Sequence, residues 1–365
     1  MPDTITDKYI KRTLTLLRAA EGETIVIAKR LQKINDSLTS DMQRVFSGNV
    51  TQKQVNKIKA KYALNFSKFY RKIFPIHLES AIASLVIREI DWNVKTLSDF
   101  TDQKINTPAR KQLLKAAKNR KYQGKTFDKW IKDSYPVSKK LVNNVLQTGF
   151  SEGQSIQQMQ RGLKAATGKL TRDAKTLTRS FFMHNAVEAK ESVFRDNKNL
   201  VESKIWLSTL DSRTTPLICG VRDGLEYTLD NEPVGHGYNW DAGPGRIHWN
   251  CRSTSIPKLK GVPYTAPRPA IEAGKNYKRG DRFTNRGTVR KLSKSARDKG
   301  IYSSQIKTTR SKYEGWLRTQ SKENIDYVSD ILGSKKKAQL FRDGASLADL
   351  GALSPVANPL SSAAI

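Results

Sequence analysis

The chain has 365 residues, of which 65 are Lys or Arg and 34 are Asp or Glu, leaving a formal charge of +31. With 37% hydrophobic residues it can bury a real core, which excludes a disordered polycation, and its two cysteines exclude a disulfide scaffold and suit a reducing compartment. Such a charge asks for a polyanion, nucleic acid ahead of anionic lipid; no run reaches the roughly 18 apolar residues of a membrane span.

Met1 to Arg18 shows no apolar signal core followed by a cleavage site, so synthesis and retention in a cytoplasm are expected, with no membrane partner. From Asp7 to about Asn65 apolar residues recur at helical spacing, as in Ile10, Leu14, Leu17 and Ile27, Leu31, Ile34, Leu38. Gly48-Asn49 breaks this block and Thr51 caps the next, which carries Lys53, Lys57, Lys59 and Lys61 beside Val55, Ile58 and Tyr62. Pro75 is expected to interrupt, followed by an apolar helix from Leu78 to Ile90 and a basic surface stretch from Lys104 to Lys125. Helices resume near Phe127; Val137 to Gly149 reads as helix with Gly149 as its C-cap, Ser155 caps a helix through Ile156, Met159 and Leu163, and Thr171 to Asn197 reads as one more.

The texture then changes. Lys204 to Leu210, Leu225 to Leu229 and Arg252 to Ile256 read as strands, with Asp223-Gly224 as a turn and residues 231–247 as a long loop, functional or anchored. Pro257 to about Arg310 is dominated by Lys and Arg, opposed only by Glu272, Asp281 and Asp298. This stretch reads as an extended DNA-contacting arm, with Lys275, Lys278, Arg279, Arg282, Arg286, Arg290, Lys291 and Lys294 as candidate phosphate ligands. Tyr313 to Phe341 regains helical pattern, and the last twenty residues read as a flexible tail. The expected fold is mainly α with a small α+β unit: long amphipathic helices, a short antiparallel sheet around residues 204–257 and an extended basic arm. Its divisions are an N-terminal helical region (1–136), an α+β core (137–258), the arm (259–310), a C-terminal helical segment (311–345) and a tail (346–365).

The most specific passage runs from Trp206 through Asp211, Arg213 and Thr214 to Cys219, then Asp223-Gly224, then His248, Asn250, Cys251 and Arg252. In this order it resembles the phage head-morphogenesis family, the Mu F-like minor head proteins of tailed bacteriophages. Leu177 to Ser180 with His184-Asn185-Ala186 upstream, and Tyr313 to Leu317, Ile331 to Ser334 and Phe341 to Gly344 downstream, resemble other segments of that family. The resemblance implies a non-enzymatic virion protein, present in few copies inside the head near the portal, bound to packaged double-stranded DNA and in some phages ejected with it. Portal protein, and capsid or scaffolding protein, are the implied protein partners. Nothing in residues 1–136 carries a motif.

Thiolate and imidazole are zinc's usual ligands, and Cys219, His248 and Cys251 supply three of the four a tetrahedral site takes, with His236 or Asp211 as candidates for the fourth. A Cys219–Cys251 disulfide and two plain buried thiols are the other readings; the plain thiols are favoured, so no cofactor is expected. Asp211 and Arg213 are expected to form an internal ion pair. His184, beside Phe181 and Phe182, reads as a satisfied core histidine. The alternative function is a DNA-processing enzyme such as a zinc-dependent nuclease. Against it stand four scattered histidines, no glycine-rich phosphate loop and no G-x-S-x-G elbow. Tyr313 and Trp316, aromatic among basic neighbours in a segment set apart by the arm, are the candidate partner-binding pair, with packing of this helix face inside its own domain as the equal alternative.

Overall fold

Thr4 opens the first helix by accepting a hydrogen bond from the Asp7 amide, while the Asp7 carboxylate accepts one from the Thr4 amide. The structure, a computed structural model, describes residues 4–46, 50–262, 267–272, 282–283, 301–302 and 305–352. Helix α1 spans Ile5–Val45 and buries Leu16, Ala20, Ile27, Leu31, Leu38 and Met42 along one stripe. Thr51 caps α2 (Gln52–Lys68) as expected, in a capping box with Gln54.

Pro75 does not interrupt the helix. A π-helical turn at Phe69–Ile73 joins α2 to α3 (Phe74–Thr101), with the Phe74 amide bonded to the Phe69 carbonyl, and Pro75 falls in the first turn of α3, where a missing N–H is tolerated. The basic stretch that follows contains α4 (Arg110–Asn119) and a tight hairpin of β1 (Lys121–Tyr122) and β2 (Lys125–Thr126). Helix α5 (Phe127–Ser151) runs through Pro136, because Pro136 and Lys132, the residue whose carbonyl it leaves unbonded, both face solvent.

Gly149 is not the C-cap of α5. The helix continues to Ser151, and Gly149 instead gives Met159 of the next helix room to approach: a Cβ there would lie 2.4 Å from Met159 Cγ. Ser155 caps α6 as expected, but α6 is one helix of 41 residues, Ile156–Asp196, where two were expected. α1, α3 and α5 all pack on it. Its second half is buried on nearly every side from Phe181 to Phe194, making it the central element rather than a one-faced surface helix.

The sheet has the order β4-β3-β5, all antiparallel, with β3 at Val201–Leu207, β4 at Glu226–Tyr227 and β5 at Thr254–Leu259. The fold is therefore mainly α with a small α+β unit. One continuous hydrophobic cluster runs from Ile5 through α6 to Leu259. A boundary at 136/137 thus falls inside α5, and the N-terminal helices share their core with the sheet.

The arm differs most from expectation. Its described ends are paired: β6 (Arg268–Glu272) runs antiparallel to β9 (Gln305–Thr309), and the Ile271 amide reaches the Leu210 carbonyl at 2.8 Å, attaching this ribbon to the end of β3. Within the stretch between them, β7 (Arg282–Phe283) pairs in parallel with β8 (Ile301–Tyr302). Lys275, Lys278, Arg279, Arg286, Arg290, Lys291 and Lys294 lie outside the described residues, and Arg282 is described only as backbone of β7.

Helices α7 (Tyr313–Glu323), α8 (Ile325–Leu332), α9 (Lys335–Arg342) and α10 (Leu347–Ala352) follow, so residues expected in the tail extend the helical segment. Their apolar faces close a second cluster that includes Leu210 and Ala270. Tyr313 and Trp316, the candidate partner-binding pair, are 0% and 2% exposed within it, so of the two uses left open for this helix face the structure shows packing within the fold. The ribbon holds the C-terminal helices against the sheet, and the aromatic rings become core.

Candidate functional site

The motif residues converge around the end of β3. Trp206 is fully buried and donates its indole N–H to Ser208 Oγ (3.1 Å); Ser208 Oγ in turn donates to the Cys219 carbonyl (2.7 Å). Asp211 caps the following turn by accepting from the Arg213 amide (3.0 Å), but its ion pair is with Arg252, whose two terminal nitrogens bond its two oxygens. The expected Asp211–Arg213 pair is thus replaced by one that joins residues 41 apart, stitching β3 to the start of β5. Burial alone would raise the Asp211 carboxyl, yet the Arg252 guanidinium holds it below the usual carboxylate range. Thr214 closes the same turn through Thr209.

Asp223 and Gly224 form the next turn. Gly224 has φ +74°, a conformation open to glycine, and its amide bonds the Trp206 carbonyl at 2.8 Å. The Asp223 carboxylate accepts from the Ser208 amide (2.8 Å), the Tyr313 amide (2.6 Å) and Arg268 Nη1 (2.7 Å), with Arg268 Nη2 on its second oxygen. Arg268 stands 45 positions further on in a stretch crowded with basic residues, and nothing in its sequence surroundings distinguishes it.

The long loop after β4 is anchored, one of its two expected roles. Trp240 packs edge-on against Trp206 and Tyr227, Arg222 binds the Asn239 carbonyl (3.0 Å) and Asp241 (2.6 Å), and Arg246 reaches Glu188 and Glu191 on α6. Lys190, also on α6 and fully buried, donates to Thr254 Oγ1 and the Ser255 carbonyl, each at 2.6 Å, and burial lowers its pKa to about 8. This buried ionic layer between α6 and the sheet was not anticipated; its sequence signal is the charged Glu188, Lys190 and Glu191 inside an otherwise apolar run.

The loop ends at His248 to Cys251. Asn250 takes φ +58°, bonds its amide to Ser180 Oγ (3.0 Å) and accepts from Arg179 Nη1 (2.9 Å), tying the turn to α6. This places Cys219, His248 and Cys251 together: Cys219 Sγ lies 3.0 Å from His248 Nε2 and 3.7 Å from Cys251 Sγ, and both cysteines are buried and free. Neither proposed fourth ligand joins them, since His236 is hydrogen bonded to the Glu226 carbonyl and Asp211 to Arg252. Hydrogen bonding to Cys251 together with burial pushes the Cys219 thiol up. Burial would raise Cys251 as well, but Cys219 and His248 hold it well below the usual thiol range.

His184 lies in the core as expected, edge-on to Tyr122, but among the described residues neither ring nitrogen has a hydrogen-bond partner. No curated protein and no solved structure matches the chain significantly. Residues 140–256, from the middle of α5 to β5, match the family model described as phage Mu protein F like protein. That interval holds the Trp206–Arg252 constellation and the whole of α6 on which it rests, so over this third of its length the chain is similar to the phage Mu F-like family, in line with the head-morphogenesis resemblance of its motifs.

Proposed function

We propose that the protein is a minor component inside the head of a tailed phage, near the portal, where it contacts packaged double-stranded DNA and can leave with it. The observation that carries this reading is the family segment in a chain of net charge +31. The charge is also unevenly spread. From Met42 to Leu78 there are eight Lys or Arg and no Asp or Glu, and Lys53, Lys57, Lys68, Arg71 and Lys72 are exposed. Lys53, Lys57, Lys61 and Lys68 share a stripe about 80° wide on α2, at 100° per residue. Lys61 answers to Asp41, while the others face solvent. Such a rail suits a phosphate backbone, which binds point charges without reading bases.

The test is binding of random-sequence double-stranded DNA as a function of salt. Affinity should fall steeply, by about 0.9 in log–log slope per phosphate contact. Replacing Lys53, Lys57, Lys68 and Lys72 by Gln, and separately replacing residues 273–304 by a short neutral linker, should each flatten the slope. Salt-independent binding, or a slope that neither change moves, would overturn the DNA reading. Portal docking is read from co-expression with the cognate portal protein and size exclusion. Failure to associate at low salt while DNA binding persists would leave an internal DNA-associated head protein.

A further inference from the structure

The three side chains Cys219, His248 and Cys251 are the one group among the described residues whose ligand atoms converge like a metal cradle, all within 4.8 Å of one another. Two of them are buried thiols, brought from a π-helical turn (Pro216–Gly220) and from a loop end 32 residues later. A tetrahedral ion with zinc–sulfur bonds of about 2.3 Å separates two sulfurs by about 3.8 Å. Cys219 Sγ and Cys251 Sγ lie 3.7 Å apart.

Simple contact would also bring two sulfurs that close, but it does not explain the aim of the imidazole. His248 Nδ1 lies 2.9 Å from the Trp249 carbonyl, so that nitrogen carries the proton and Nε2 turns a lone pair toward the thiols. A backbone carbonyl on the far nitrogen is the support that metal-bound histidines characteristically have. Cys219 Sγ is 3.0 Å from Nε2, so the ring would back off by about half an ångström to reach the roughly 3.5 Å edge of a zinc tetrahedron.

We propose that these three side chains bind one zinc ion as a structural clip. On binding, whatever protons the two sulfurs and Nε2 share leave to solvent, and the two thiolates neutralise the dication, with His248 as the neutral third ligand. A site of zero net charge suits surroundings that include buried Trp206, Tyr227 and Trp240. Thr215 Oγ1 lies 3.3 Å from His248 Nε2, so its hydroxyl could hold a water in the fourth position. No carboxylate among the described residues joins the trio, and the ion would fasten the end of the 231–247 loop to the turn after β3.

The test uses the full chain, expressed with zinc in the medium and purified without chelator or metal resin. Equimolar zinc is expected, released by a strong chelator with a fall in unfolding temperature that added zinc reverses. Cobalt substituted into the unmutated protein should show the thiolate charge-transfer band and intense visible bands of a tetrahedral site, both lost in Cys251→Ser. Because the cobalt spectrum is read on the unmutated chain, a variant that fails to fold leaves the result intact. Zinc well below equimolar after supply, a cobalt spectrum without thiolate bands, or a Cys219–Cys251 disulfide in the purified protein would each overturn the proposal.

Discussion

Arg268 and Asp223 form a buried two-pronged ion pair, 5% and 3% exposed, and the same carboxylate holds the Ser208 and Tyr313 amides. One side chain thus joins the end of β3, the root of the ribbon and the start of the C-terminal helices. Removing one partner of a buried pair strands the other charge, a loss of about 3–5 kcal/mol. Asp223→Ala and Arg268→Ala should each lower unfolding stability by that order, and the double variant by much less than the sum. Denaturant unfolding of the four proteins measures the coupling; additive losses would show that the pair does not act as a unit.

Trp316→Ala should destabilise by roughly 3–5 kcal/mol, the range for a large aromatic removed from a core. The loss follows from the position of Trp316 between Tyr313 and Tyr327 in the second cluster. Thermal unfolding reads it directly. A variant of unchanged stability would mean that the ring is not packed inside the fold.

Burial, then the Arg246 and Arg120 charges, push the His184 pKa down to about 2 from its ordinary 6.5. The folded state keeps the ring neutral while the unfolded chain takes up a proton below about pH 6.5, so the unfolded state binds more protons throughout that window. Stability linked to His184 is complete above pH 6.5 and is lost as pH falls toward 2, at up to about 1.4 kcal/mol per pH unit. His184→Phe removes both the titration and two unsatisfied buried nitrogens. It should raise stability at pH 7 by about 1–2 kcal/mol and widen its advantage at pH 5. Parallel denaturation curves at the two pH values check this, and an advantage that shrinks in acid would contradict it.

Gly149→Ala sets two effects against each other. Alanine gains about 1 kcal/mol over glycine inside a helix, while overpacking costs about 1–3 kcal/mol. The new methyl would press on Met159 Cγ, and Met159 is itself buried. We expect the clash to win and the variant to unfold earlier; pairing it with Met159→Ala should recover part of the loss.

Local chemistry made much of this fold legible. Thr51 and Ser155 announce their helices because a capping box needs only four residues, whereas the first strand, expected over Lys204 to Leu210, lies three residues earlier at Val201–Leu207. Pro75 and Gly149 misled because their effects depend on what faces them: a π-helical turn, and Met159 across a helix junction. The cysteine–histidine trio could be suspected from residue types, yet its geometry depends on Asn250 and α6, which spacing does not reveal. Arg268 was hidden among equals, since its identity does not set it apart from its basic neighbours in the sequence. For Tyr313 and Trp316 the sequence left own-domain packing and partner binding equally open, because the ribbon that brings them home pairs strands more than thirty residues apart.

The ribbon of β6 and β9 turns residues 273–304 into a parenthesis in the chain. Whatever stands between the brackets, the text on either side keeps its meaning, because Arg268, Ala270 and Tyr313 are fixed to the sheet by their own contacts. Lengthening such a closed stretch is cheap, about 0.6 kcal/mol for each doubling. Evolution can therefore rewrite this basic passage, its length and its charge alike, without disturbing the helices that follow it.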